Sequence, residues 1–189
     1  IILLITLYLS VIGLETDKFN NQIKDKVGKI NKNLEIELKK KKLTLDPFNF
    51  KVNAKTIGTN IIYKGTNLEL EYIETQISLI SLFKNEFRSS NLNLSTKSIL
   101  LKDLVNFIRV TTNKPELFIL ESAIKNGQVV ADVELNFDKN GKIKNDYKIR
   151  GILKNGKIKF LNIYNFEKIN FNLDVKDNIL DFKDLSFTT

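Results

Sequence analysis

From Ile124 to Phe187 apolar and polar side chains alternate with a period of two. Val129, Ala131, Val133, Leu135 and Phe137 share one parity, and Gln128, Asp132, Glu134 and Asn136 share the other. After Asp138-Lys139-Asn140-Gly141 the pattern resumes with Ile143, Tyr147, Ile149 and Leu153. Lys154-Asn155-Gly156 interrupts it again, Ile158, Phe160 and Tyr164 follow, and Ile169, Phe171, Leu173 and Val175 then alternate with Lys168, Asn170, Asn172 and Asp174. Successive side chains of a strand point to opposite faces, so each run predicts a strand with one dry and one wet face. Asn-Gly supplies the positive φ that tight hairpins require, so the interruptions predict turns in an antiparallel meander of about five strands. No segment of helical period lies inside this stretch. What covers the dry face is therefore the functional question.

Upstream, Ile1 to Leu14 carries no charge and no polar helical face. As a helix it would measure about 21 Å, short of the roughly 30 Å hydrocarbon core of a bilayer. Residues 1–14 predict the C-terminal part of a transmembrane anchor whose beginning precedes Ile1; a signal-peptide core and a buried helix are the alternatives. The lack of an Ala-x-Ala cleavage pattern after Gly13 argues against the signal peptide. Thr16 or Asp17 is placed to cap a helix running to about Lys32, with Phe19, Ile23, Val27 and Ile30 in one stripe. Residues 15–33 thus predict an amphipathic helix, packed on the end of the sheet or lying in a membrane interface.

Residues 34–189 read as the β region. Leu34, Ile36 and Leu38 alternate, Lys39 to Lys42 predict a turn or a charge-protected edge, and Asp46-Pro47 predicts a turn leading to a strand with Phe48, Phe50, Val52 and Ala54. Ile61-Ile62-Tyr63, Lys64-Gly65, then Leu68, Leu70 and Tyr72 predict a hairpin. Ile77, Leu79, Ile80, Leu82 and Phe83 fit a short helix or a bulged strand. Leu100, Leu101, Leu104, Val105 and Ile108 have helical spacing, and Leu117, Ile119 and Leu120 predict a strand leading into the meander.

Composition narrows the chemistry. With 42% hydrophobic and 10% aromatic residues in 189, the chain has ample material for burial. A first residue other than Met and a strand-like Leu185-Ser186-Phe187 near the end predict a piece of a longer protein. Without Cys or His there are no disulfides, thiol nucleophiles or zinc–thiolate sites, and the usual proton shuttle is missing. The formal charge is +8, yet among 30 basic residues only Arg88, Arg109 and Arg150 are Arg, and the lysines are scattered. That distribution predicts solvated strand faces rather than a nucleic-acid surface, and an anionic-polymer binder would rest on charge alone. Glu69 and Glu71 share the wet face of a strand, so with Glu74 they read as solvated charges rather than an acid–base pair. Asp138-Lys139-Asn140-Gly141 resembles part of a calcium loop but lacks the later acidic positions, which favours a hairpin. No P-loop, GxGxxG or GxSxG motif is present. The expectation is a protein without catalytic residues, cofactor or metal.

The order of parts carries a resemblance: the Ile1–Leu14 anchor, the strand pair LEIELKKKKLTLDPFNFKVNA, the segment TNLELEYIETQISLISLFKNEF, the helix LLKDLVNFIR, and the repeat NGQVVADVELNFDKNGKIKNDYKIRGILKNGKI. Together they resemble the N-terminal region of the AsmA-like family, which includes TamB and YhdP and is similar in architecture to bridge-like lipid-transfer proteins. The resemblance spans nearly the whole chain, although family members commonly run to several hundred residues or more. It implies a mainly β protein: an N-terminal transmembrane helix, then an elongated, curved antiparallel sheet forming a groove, with one or two short amphipathic helices. It further implies a bacterial inner-membrane location with the β region in the periplasm. Its partners would be phospholipid acyl chains and an outer-membrane protein, and its role phospholipid transport and outer-membrane biogenesis. Val133, Leu135, Phe137, Ile149, Phe171 and Leu173 are the candidate lipid-facing residues. Periodicity also fits half of a β-sandwich, so a membrane-anchored sandwich or repeat module in a structural or protein-binding role is the alternative.

Overall fold

In a computed structural model, which describes residues 1–17, 20–30, 32–39, 41–80, 89–138, 144–161, 163–177 and 179–189, the period-two segments join into one sheet. Its strands are β1 (Leu14–Thr16), β2 (Leu34–Glu37), β3 (Lys41–Asp46), β4 (Lys51–Ile57), β5 (Asn60–Tyr63) and β6 (Thr66–Ser78), followed by β7 (Ser89–Thr96), β8 (Ile99–Leu100), β9 (Ile124–Asn136), β10 (Lys148–Phe160), β11 (Tyr164–Lys176) and β12 (Ile179–Thr188). All their pairings are antiparallel. The main path runs β1-β3-β4-β6-β7-β9-β10-β11-β12, with β2 and β5 branching from β6 and β8 pairing with β9. At roughly 4.8 Å per neighbour, that path spans about 40 Å. The chain is mainly β, with 58% strand in one open sheet and four helices among the described residues.

The helices are α1 (Ile2–Val11), α2 (Asn20–Ile30), α3 (Leu101–Thr112) and α4 (Leu117–Ala123). α1 has ten residues, about 15 Å, and none is buried. Among the described residues no helix is long and apolar enough to cross a membrane, so the transmembrane helix expected over 1–14 finds no support in this structure. Gly13, with φ +76, ends the helical segment, and Leu14 belongs to β1 instead. A Cβ at Gly13 would stand 2.5 Å from the Leu43 carbonyl oxygen, so the close approach of β1 to β3 requires glycine there. The amphipathic helix forms but begins at Asn20 rather than at residue 15, because Glu15 and Thr16 pair with Lys42 and Lys41.

Three further expectations give way. Asn155-Gly156 makes no turn: β10 runs unbroken from Lys148 to Phe160, and the pair forms a bulge with Asn155 at φ 53. A bulge and a tight hairpin need the same positive φ, so the dipeptide alone does not choose between them. The meander accordingly has four long strands, β9 to β12, rather than five. Leu117, Ile119 and Leu120 lie in helix α4, not in a strand. Phe48 and Phe50 lie in the turn between β3 and β4, and β4 starts at Lys51.

Other expectations hold. The Lys64-Gly65 hairpin joins β5 to β6, and the helix over Leu101–Ile108 extends to Thr112, closed by Asn113 in the left-handed region. The expected hairpin at Asp138–Gly141 falls largely outside the described residues, as do Leu82 and Phe83 of the segment that follows β6; its Ile77 lies in β6.

Candidate functional site

Directly paired residues project to the same side of a sheet, so the register sorts the side chains into two faces. One transverse row runs Leu14, Leu43, Ala54, Thr75, Leu92, Leu135. The next row contains Ile73, Leu94, Val133, Ile149 and Val175. Further along the strands, Val129 opposes Leu153 and Leu153 opposes Phe171, while Leu173 lies across from Gly151. The result is one apolar face continuous from β3 to β11. The opposite face is polar: Lys55 reaches Glu74 at 3.7 Å, Lys148 reaches Glu134 at 3.6 Å, and Ser95 Oγ donates to Asp132 at 2.6 Å. Between Leu70 and Tyr72 the register shifts, which turns Tyr72 onto this polar side with Lys55 Nζ 4.2 Å from its ring centroid.

All six candidate residues sit on the apolar side, and all are half-buried. Val133 pairs with Ile149 and Leu94, and Leu135 pairs with Leu92. Phe137 continues the parity of Leu135, its amide donating to the Ser90 carbonyl at 3.1 Å. Phe171 packs on a closed core and meets Phe182 edge-to-face at 5.3 Å between centroids.

That core occupies one end of the strands, where α3 covers the sheet and α4 packs beside α3. Val129, Leu153 and Ile169 are buried there, with Ile99, Leu101, Leu104, Ile158 and Phe166 packed around them. Two glycines allow the helix to approach. A Cβ on Gly127 would stand 3.3 Å from both Gly156 Cα and Leu101 Cβ, so the facing bulges leave room for the first turn of α3. Arg109 ties α3 to α4 through Glu121 at 2.7 Å and to Asn106 at 2.8 Å. Beyond α4 the apolar surface opens into a pocket of about 700 Å³ lined by Ile119, Leu120, Ala123, Ile158, Phe160, Tyr164 and Phe166, with Glu116 as its charged member. It is a shallow concavity, largely open to solvent. Sequence reasoning missed this pocket because it treated Leu117–Leu120 as a strand.

A second feature escaped the sequence. Lys41, in a run of four lysines expected to form a turn or an edge, opposes Thr56 and Thr16 on the apolar side and is buried. Its Nζ has no hydrogen-bond partner among the described residues. Burial pushes the ammonium pKa down, and the nearby Asp17 carboxylate pulls it back up. Glu69 pairs with Lys97 at 3.1 Å, Glu74 with Lys55, and Glu71 is exposed. Among the described residues no cluster of three or more His, Cys, Asp or Glu side chains could hold a metal ion. The arrangement offers an apolar surface and pocket for a hydrophobic ligand.

No family model, characterised protein or solved structure matches this chain.

Proposed function

We propose that this chain is a membrane-anchored β-groove module whose apolar sheet face holds phospholipid acyl chains. The observation that carries the reading is the coverage of that face. Among the described residues, α3 buries it at the Val129–Leu153 end, while Leu92, Leu94, Val133, Leu135 and Ile149 line its other end only half-buried. A broad apolar surface of this kind aggregates in water unless something lies against it, and a lipid chain satisfies it without any polar matching. The uncharged α1 supports a membrane location, and the AsmA-like pattern of parts supports transport between the bacterial inner and outer membranes. The groove then lies in the periplasm.

Site-specific photocrosslinking tests this reading. A photoreactive phenylalanine analogue at Leu135 or Leu173 should crosslink to phospholipid in cells, and the same analogue at Asn53 or Asn136 on the polar face should not. Crosslinks from Leu135 only to protein would turn the reading toward a sheet closed by a second layer.

A further inference from the structure

The turn between β3 and β4 exposes two phenylalanines on a rigid support. Pro47 fixes its own φ, Asn49 N donates to Asp46 Oδ1 at 3.1 Å, and Asn49 Nδ2 donates to Asp46 Oδ2 at 2.8 Å. These bonds also hold the Asp46 carboxyl below its ordinary pKa. Phe50 adopts φ 51, a left-handed conformation that a bulky residue avoids, and its carbonyl accepts from Leu79 N at 2.9 Å. The outcome is Phe48 at 94% exposure and Phe50 at 67%, with Ile80 beside them at 64%. Turn tips ordinarily carry Gly, Asn, Asp or Ser, and strained backbone that presents apolar side chains marks a functional surface.

The position of α1 identifies the occupant. β1 runs antiparallel to β3 with Leu14 opposite Leu43 and Thr16 opposite Lys41. The helix preceding β1 therefore reaches it from the Asp46 side, the side of the turn, and it packs against β3. Two uncharged, largely exposed apolar surfaces thus share one end of the sheet. Lys51, at the base of the turn, donates to Gln76 at 3.2 Å and places a cation behind the aromatic tip. An apolar tip backed by a lysine, next to an apolar helix, fits the boundary between headgroups and acyl chains.

We infer that the Pro47–Phe50 turn seats in the headgroup interface of a lipid bilayer beside α1, with Phe48 inserted among the acyl chains. The inference rests on the membrane reading of α1 but not on the groove. It also orients the sheet. The half-buried end of the apolar face, at Leu135 and Phe137, would face the bilayer, and the α3–α4 end would point away.

The chain has no Trp, so Phe48→Trp supplies a single reporter. The full chain, reconstituted into phosphatidylethanolamine–phosphatidylglycerol vesicles, should show blue-shifted emission from this residue. Acyl-brominated lipids should quench it several-fold more strongly than a Trp at Ile163, which is also exposed, at 75%, but lies at the opposite end. Ile5→Trp reports on α1 separately. If Ile5→Trp is quenched by brominated lipid while Phe48→Trp remains water-exposed, the turn proposal is overturned and the anchor stands. If neither is quenched, the membrane reading falls with it. A blue shift of Phe48→Trp that grows with protein concentration in the absence of vesicles would name a second copy of the chain as the occupant, and would equally overturn the proposal.

Discussion

Val129 and Leu135 lie on the same face of the same strand, three side-chain positions apart, yet their surroundings differ. Val129 is 7% exposed beneath α3, within the cluster it shares with Leu153 and Ile169. Leu135 stands in a row of strand residues and is half-buried. The alternation of apolar and polar residues is the same at both positions, so period two alone does not decide whether an apolar face is closed. The difference comes from outside the strand: helix α3, and the glycine bulges at Gly127 and Gly156 that admit it. One end of the sheet has a core of its own, and the other presents the same chemistry to whatever lies against it.

The largest expected effect separates these two ends. Leu153→Asp would bury an unpaired carboxylate where the side chain is 2% exposed, costing about 3 kcal/mol or more, so thermal melting should show loss of the cooperative transition. Leu135→Asp can keep its charge hydrated at the open end and should keep a cooperative melt near that of the parent while losing bound lipid. Phe171→Asp, at the margin of the core, should fall between them. If Leu153→Asp and Leu135→Asp destabilise equally, the two ends are equally closed and the contrast fails.

A smaller effect belongs to Lys41, whose ammonium is buried within the apolar face without a hydrogen-bond partner among the described residues. Lys41→Met keeps the length of the side chain and removes the charge, and should stabilise the fold by about 1 kcal/mol at neutral pH in denaturant titration. The lysine pKa is lowered in the folded chain, so between that value and the ordinary lysine range the unfolded chain binds more protons. Stability of the parent therefore rises with pH across that window, and the advantage of Met should shrink there. An advantage that is constant with pH would show that Lys41 is not desolvated.

The smallest effect is expected on the polar face. Replacing Glu69, Glu71 and Glu74 together with Gln removes the exposed pairs to Lys97 and Lys55, each worth roughly 0–1 kcal/mol. Urea titration and lipid content should both stay close to the parent. Loss of function with the fold retained would reveal a role for these carboxylates that neither their spacing nor their partners indicates.

Much of this contrast was legible from residue order. The shared parity of Val133, Leu135 and Phe137 placed them on one face, and Leu101, Leu104 and Val105 announced α3. Asn155-Gly156 misled because a bulge and a hairpin draw on the same backbone freedom, and only cross-strand pairing separates them. Leu117–Leu120 misled because a four-residue apolar run fits a strand as readily as a helix. Lys41 was hidden in a run of four lysines, since a single buried member depends on what folds over it. The pocket at Ile119 and Phe160 joins residues some forty positions apart, and no local pattern anticipates it.

Mass spectrometry of the full chain purified from membranes shows whether lipid occupies the open end of the apolar face. Phospholipid should co-purify with the parent in a defined ratio and fall several-fold in Leu135→Asp at unchanged thermal stability. A parent free of lipid, together with a Leu135→Asp variant that simply unfolds, would contradict it and identify that face as the core of a closed sandwich.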